Sequence, residues 1–319
     1  MKKTVFLALV FVSIVFSPEA LTQNTRGSGG HNFSFSLPFG LMTGRAEEIV
    51  YWNATSNDRA SHLIWPLSPM FFTGINLHYF WMEREEQALY FVDVYSRLGL
   101  PRRSGNLENR DWLISSNTDH LTHYSEHDNY INRALMLDLD LGLSSHWNND
   151  IWLKCFISYS FMDFAFIGRG GSILHPIENR SLHYPASMDV HTYRQTWNLI
   201  GGGIGLNAKS HNHFDTSLYL KGGIAWLTAV DEHLLRNEVF IDKITGGLFI
   251  EPGLRLSFRP FDSWAFNFAY SYRYIGNSRG DTTVDNLNTG TSQSYPNMGG
   301  ASFFSHSFNL AVEYKIVGR

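Results

Sequence analysis

The chain has 319 residues, a net charge of −4, 15% aromatic and 17% charged side chains, 27 glycines and a single cysteine, Cys155. One cysteine excludes an internal disulfide framework, and an acidic balance argues against a nucleic-acid partner. No apolar run reaches the ~20 residues that a spanning helix needs.

The N-terminal stretch MKKTVFLALVFVSIVFSPEA sets two lysines before an apolar segment that ends at Phe16, with Pro18 behind it. It is too short to span a membrane and reads as an export signal over residues 1–20, leaving 21–319 as one mature barrel domain. Apolar side chains then fall on alternate positions. Phe33, Phe35, Leu37, Phe39 and Leu41 share one parity; Leu135 to Leu143 repeat it, with Asp138 and Asp140 on the other face. Trp264, Phe266, Phe268 and Tyr270 do the same, as do Phe308, Leu310, Val312 and Tyr314. Residues i and i+2 of an extended chain share a face, so this is the pattern of strands with one apolar side.

Ten strands are predicted, near 33–45, 63–80, 88–99, 130–143, 151–168, 192–206, 214–228, 245–258, 264–275 and 303–316. The gaps alternate between short and long, the long ones near 46–62, 100–129, 169–191, 229–244 and 276–302. The fold class is therefore all-β: a ten-stranded antiparallel transmembrane β-barrel with long extracellular loops. A sandwich has no reason to put its long loops at every second connection. The chain ends EYKIVGR, five residues beyond Tyr314, whereas such barrels usually end on an aromatic residue.

Candidate chemistry sits in the long loops. AVDEHLL (229–235) places Asp231 and His233 at i and i+2, the spacing that lets a carboxylate orient an imidazole base. GNLENRDWLISSN (105–117) gives Asn109 and Asp111 the same spacing, while Glu108 points to the opposite face. His120, His123 and His127 lie among acids in DHLTHYSEHD (119–128), but without metal-site spacing, so no metal is expected. HNH (211–213) reads as a solvated turn, and GGG (201–203) as close packing within a strand rather than a phosphate loop.

GNLENRDWLISSN with SEH (125–127), DEH (231–233), GRAEEIVY (44–51), SHLIW (61–65) and FIGRGGS (166–172) occur in one order along nearly the whole mature chain. Together they resemble the omptin family of outer-membrane proteases. The resemblance implies peptide cleavage beside basic residues at the outer face of the outer membrane, with no cofactor. It assigns His233 as general base, Asp231 as its orienting carboxylate and Asp111 as one of a facing pair. Asn109 departs from the pattern, because an amide cannot accept or share a proton as a second carboxylate does.

Glu48 falls where the family places an acid for the substrate's basic side chain, and a second acid expected two positions before Asp231 is replaced by Ala229. The partners implied are polypeptide substrates and outer-membrane lipid. The family also contacts lipopolysaccharide through charged outer-wall residues. Here the matching positions hold Phe161, Asp163 and Thr196, with Lys243 a further match, so an aspartate that repels phosphate is expected to make activity independent of it. The alternatives are a catalytically weakened barrel acting as a surface binding protein or adhesin, and a porin, for which ten strands are narrow.

Overall fold

The computed structural model describes residues 31–82, 88–114, 116–148, 150–210 and 213–317. The export signal expected over residues 1–20 lies outside them. Twelve strands follow in order: β1 (His31–Tyr51), β2 (Arg59–Pro66), β3 (Met70–Met82), β4 (Ala88–Gly99), β5 (Arg102–Asp111), β6 (His123–His146), β7 (Ile151–His175), β8 (Arg180–Ser210), β9 (Phe214–His233), β10 (Glu238–Phe261), β11 (Trp264–Asn286) and β12 (Thr291–Val317). Every ladder is antiparallel, and β12 pairs back onto β1 to close the ring. β1 pairs β3 along its first half and β2 along its second; β6 pairs β4 and β5 in the same way. Residues 59–82 and 88–111 are thus two interrupted walls, and the barrel has ten staves.

The lower half carries the apolar belt. Leu37, Phe39, Ile157, Ile204, Leu248, Phe266 and Leu310 are exposed on the outer wall, as lipid contact requires. Aromatic pairs edge it at the lower end, including Trp81–Tyr90 with ring centres 5.3 Å apart and Trp264–Tyr314 at 4.8 Å. Closure explains the unusual C-terminus: Lys315, Ile316 and Val317 pair with Ser34, Phe33 and Asn32, so the residues after Tyr314 extend the seam.

The strands are much longer than alternation alone predicts, and the expected long loops are mostly strand. The upper connections shrink to 52–58, 112–122, 176–179, 234–237 and 287–290. Above the belt the outer wall meets water instead of lipid, so hydrophobic alternation fades while the hydrogen-bond ladder continues.

Two layers fill the lumen. At belt height, Arg273 reaches Asp138 at 2.7 Å and pairs with Glu251, and Lys221 Nζ lies 2.7 Å from Asp140. Higher up, Trp65 stacks on Tyr193 at 5.1 Å, with Phe164, Phe166, Trp197 and Phe303 buried around them. This aromatic layer is the floor on which the upper polar residues stand. The GGG segment packs as expected, since a Cβ on Gly201 would lie 2.1 Å from the Gly222 carbonyl oxygen.

Asp163 faces outward but is not the bare charge expected from sequence. Arg133 lies 2.7 Å from one of its oxygens, and Arg194 forms a bidentate pair at 2.8 and 3.0 Å. Two half-exposed arginines thus balance its charge on the outer wall.

Candidate active site

Asp231 and His233 end β9 rather than beginning a loop, so the ladders to β8 and β10 hold their backbone rigidly. Both are buried, with Asp231 at 1% exposure. His233 Nε2 lies 2.6 Å from Asp231 Oδ2. The contact is electrostatic rather than an aligned hydrogen bond, since neither Asp231 oxygen has a hydrogen-bond partner. Arg236, in the turn after β9, bonds through Nη2 to His233 Nδ1 and lies 3.3 Å from Nε2. A guanidinium only donates, so Nδ1 carries the ring's lone pair and Nε2 the proton that faces Asp231.

Asn109 and Asp111 end β5 and share a face, as their spacing predicts. Ser61 Oγ on β2 donates to Asp111 Oδ1 at 2.6 Å and to Asn109 Oδ1 at 3.2 Å. Asn109 Nδ2 donates to Asp111 Oδ2 at 3.4 Å. Glu108 points away and pairs with Arg110 at 2.7 Å. Burial raises the Asp111 carboxyl above its usual range, against the pull of Ser61, Arg236 and His123. The Arg236 charge is thus felt by Asp111 on one side and by Asp231 and His233 on the other.

Electrostatics set the protonation of this mouth. Burial pushes Asp231 up to about 6, opposed by His191 and Arg236. Burial and then the Arg236 charge hold His233 well below the usual histidine range. At neutral pH the pair is an ionised carboxylate beside a neutral imidazole.

Glu48 is fully buried on β1, with Oε2 unpartnered. Burial, then Asp231 and Asp242, raise it well above the usual carboxylate range. Asp242, on β10, is the residue the sequence does not reveal. It stands directly across the ladder from Ala229, so an acid returns on the neighbouring strand to the level where one is missing. Gly299 leaves room for it, since a Cβ there would lie 2.5 Å from Asp242 Oδ1. Burial and then the charge of Asp231 push Asp242 up to about 8.

The three histidines of 119–128 do not converge. His120 contacts Asn117, His123 packs edge-on to His175 at 4.5 Å, and His127 turns inward to 5.5 Å from the ring of His191. His191, on β8, pairs across the ladder with His233, and their rings meet edge to face at 4.3 Å. It was missed because it is remote in sequence from both candidate motifs. His213 closes a turn by contacting the Arg259 carbonyl oxygen at 2.9 Å; His211 and Asn212 lie outside the described residues.

Comparison with known proteins gives a consistent result. The family model described as the omptin family matches residues 30–316. The chain is 22% identical to the outer membrane protease IcsP of Shigella flexneri, over 98% of this chain and 99% of that protein. It is 20% identical to the plasminogen activator of Yersinia pestis, over 99% and 100% of the two chains. The crystal structure of the outer membrane protease OmpT from Escherichia coli superposes with a TM-score of 0.82 at 18% identity, over 89% of this chain and 97% of that one.

Proposed function

Because the chain belongs to the omptin family of outer-membrane proteases, we propose that it is an endopeptidase of the outer membrane whose site faces the exterior and cleaves polypeptides beside basic residues. The observation that carries this is the 2.6 Å contact between His233 Nε2 and Asp231, which leaves the Nδ1 lone pair as the base. Once Arg236 swings aside, Nδ1 takes a proton from a water held between the two polar pairs. The water oxygen attacks the peptide carbonyl, Asp231 stabilises the imidazolium, and the proton passes to the departing amine. Asn109 donates through its amide to the water or to the developing oxyanion, and Asp111, oriented by Ser61, accepts from the water.

Specificity for a basic side chain is supported by Glu48 and Asp242, two buried carboxylates that sense the charge of Asp231. An arginine entering there would pair with Glu48 Oε2 and Asp242 Oδ1, two buried oxygens that otherwise have no hydrogen-bond partner.

His233→Ala in refolded protein should lower hydrolysis of an arginine-containing peptide by about 10²–10⁴-fold, the usual contribution of a general base. The barrel circular dichroism should be unchanged. Activity close to wild type would overturn the assignment. A second function, a surface binding protein without turnover, is favoured by the position of Arg236 on the base nitrogen. It becomes the better description if neither protein cuts any member of a peptide library.

A further inference from the structure

Arg236 stands where a substrate has to lie. Its charge is felt by Asp111 and His123 on one side of the mouth and by Asp231, His191 and His233 on the other. The guanidinium therefore occupies the gap between the two polar pairs, the space that a water and a scissile peptide need. Its Nη2 also holds the lone pair of His233 Nδ1, the atom assigned to take the water's proton.

The local chain fixes the root of this side chain and leaves its end free. β9 and β10 are joined by the turn 234–237, in which Arg236 N–H donates to the His233 carbonyl at 3.1 Å and Asn237 adopts a left-handed φ of 54°. In the neighbouring turn, Asn288 Nδ2 donates to the Arg236 carbonyl at 3.0 Å and Leu287 N–H to the Asn237 carbonyl at 2.8 Å. The two turns clamp each other, so uncovering His233 takes a side-chain movement and not a loop movement. The Arg236 side chain is 48% exposed, with Glu238 Oε2 3.3 Å from its Nε. It can swing out to water without breaking any backbone bond.

We propose that Arg236 blocks the site until a carboxylate on the substrate releases it, so that the preferred cleavage sequence is a basic residue followed immediately by an acidic one. A neutral imidazole offers the guanidinium a single acceptor atom, whereas a carboxylate offers two and a charge. An acidic side chain thus draws Arg236 off His233 as the peptide binds, and a neutral or basic one leaves the base covered.

Geometry selects the position. Asp242 lies opposite Ala229, four residues down β9 from His233, or about 14 Å at ~3.4 Å per residue. Arg236 lies past the upper end of the same strand, on the other side of the Asp231–His233 pair. Successive side chains of an extended peptide point in opposite directions. With a basic side chain directed down to Glu48 and Asp242, the next one rises toward Arg236. The inference rests on that pocket and on His233 as the base.

The test uses refolded, full-length mature protein and three fluorogenic peptides that differ only after the arginine, carrying Arg-Asp, Arg-Ala or Arg-Lys. In the wild type, kcat/KM for Arg-Asp should exceed that for Arg-Ala by about 10–100-fold, the effect of one hydrogen bond between charged groups. Arg236→Met keeps the stem of the side chain but has no donor. It should raise cleavage of Arg-Ala about tenfold or more and abolish the preference for Arg-Asp. Arg236→Glu should reverse the preference toward Arg-Lys. Affinities for the same peptides with a ketomethylene group in place of the scissile amide, read by fluorescence anisotropy, give a measure that needs no turnover.

Equal kcat/KM for Arg-Asp and Arg-Ala in the wild type would overturn the proposal, as would a preference that survives unchanged in Arg236→Met. Tighter binding of the uncleavable Arg-Asp peptide, lost in Arg236→Met, in a protein that cleaves none of the three would sustain the role of Arg236 in selection and remove the peptidase function. Neither cleavage nor a binding preference would overturn both.

Discussion

His233 has its lone-pair nitrogen under Arg236 and its proton toward Asp231, and these two neighbours set the pH dependence in different ways. The ring is already neutral across the working range, because burial and Arg236 hold it low. The group that must change state is Asp231, raised to about 6. The kcat/KM for an arginine peptide should therefore rise as pH increases through about 6. Arg236 favours the ionised carboxylate, so Arg236→Gln should move that acid limb to higher pH; an unmoved limb would mean that another group titrates. On the opposite side of the mouth, Asn109→Asp replaces an amide donor with a second acceptor facing Asp111. One proton shared between the two carboxylates poises the pair, so turnover should increase. Unchanged or lower kcat would indicate a site tuned to the amide.

Strands place the groups that matter beside one another, and this decides what could be read from the chain. Asp231 with His233, and Asn109 with Asp111, are neighbours by i, i+2 spacing and so were legible without a structure. Asp242 and His191 are neighbours only through ladders, opposite Ala229 and His233, and no spacing rule within one strand reveals them. The belt segments were legible because lipid on one side and the lumen on the other impose alternation, as from Phe33 to Leu41. Strand ends were not, since β8 runs 31 residues and its upper part meets water on the outer wall. Asp242 carries a prediction at this level. Raised to about 8, it is protonated at neutral pH and ionises above that value, so KM for an arginine substrate should fall as pH rises through it. Asp242→Asn should remove that fall and raise KM at alkaline pH by about tenfold, the effect of one charge-assisted hydrogen bond, with little change in kcat. An equal effect on substrates with an uncharged side chain at the cleavage position would argue against a specificity role.

Seen whole, the molecule is a tall, filled cylinder. A strand of 24 residues such as β6 is about 80 Å long at ~3.4 Å per residue, or roughly 60 Å of height at a tilt near 40°. The apolar band of such a barrel is only about 25 Å tall. The ionic layer of Asp138, Arg273, Glu251 and Lys221 and the aromatic layer above it occupy the lumen. More than half of the continuous sheet therefore stands in water while the rest stands in lipid or detergent. Urea acts on the aqueous part, where backbone bonds are within its reach, and far less on the part wrapped in hydrocarbon. Unfolding should therefore lose its single cooperative transition. On titration with urea in detergent, peptidase activity and the fluorescence of the upper tryptophans Trp65 and Trp197 should disappear together, at a lower concentration than the β-sheet circular dichroism. Coincident midpoints for all three signals would mean that the collar and the belt melt as one unit.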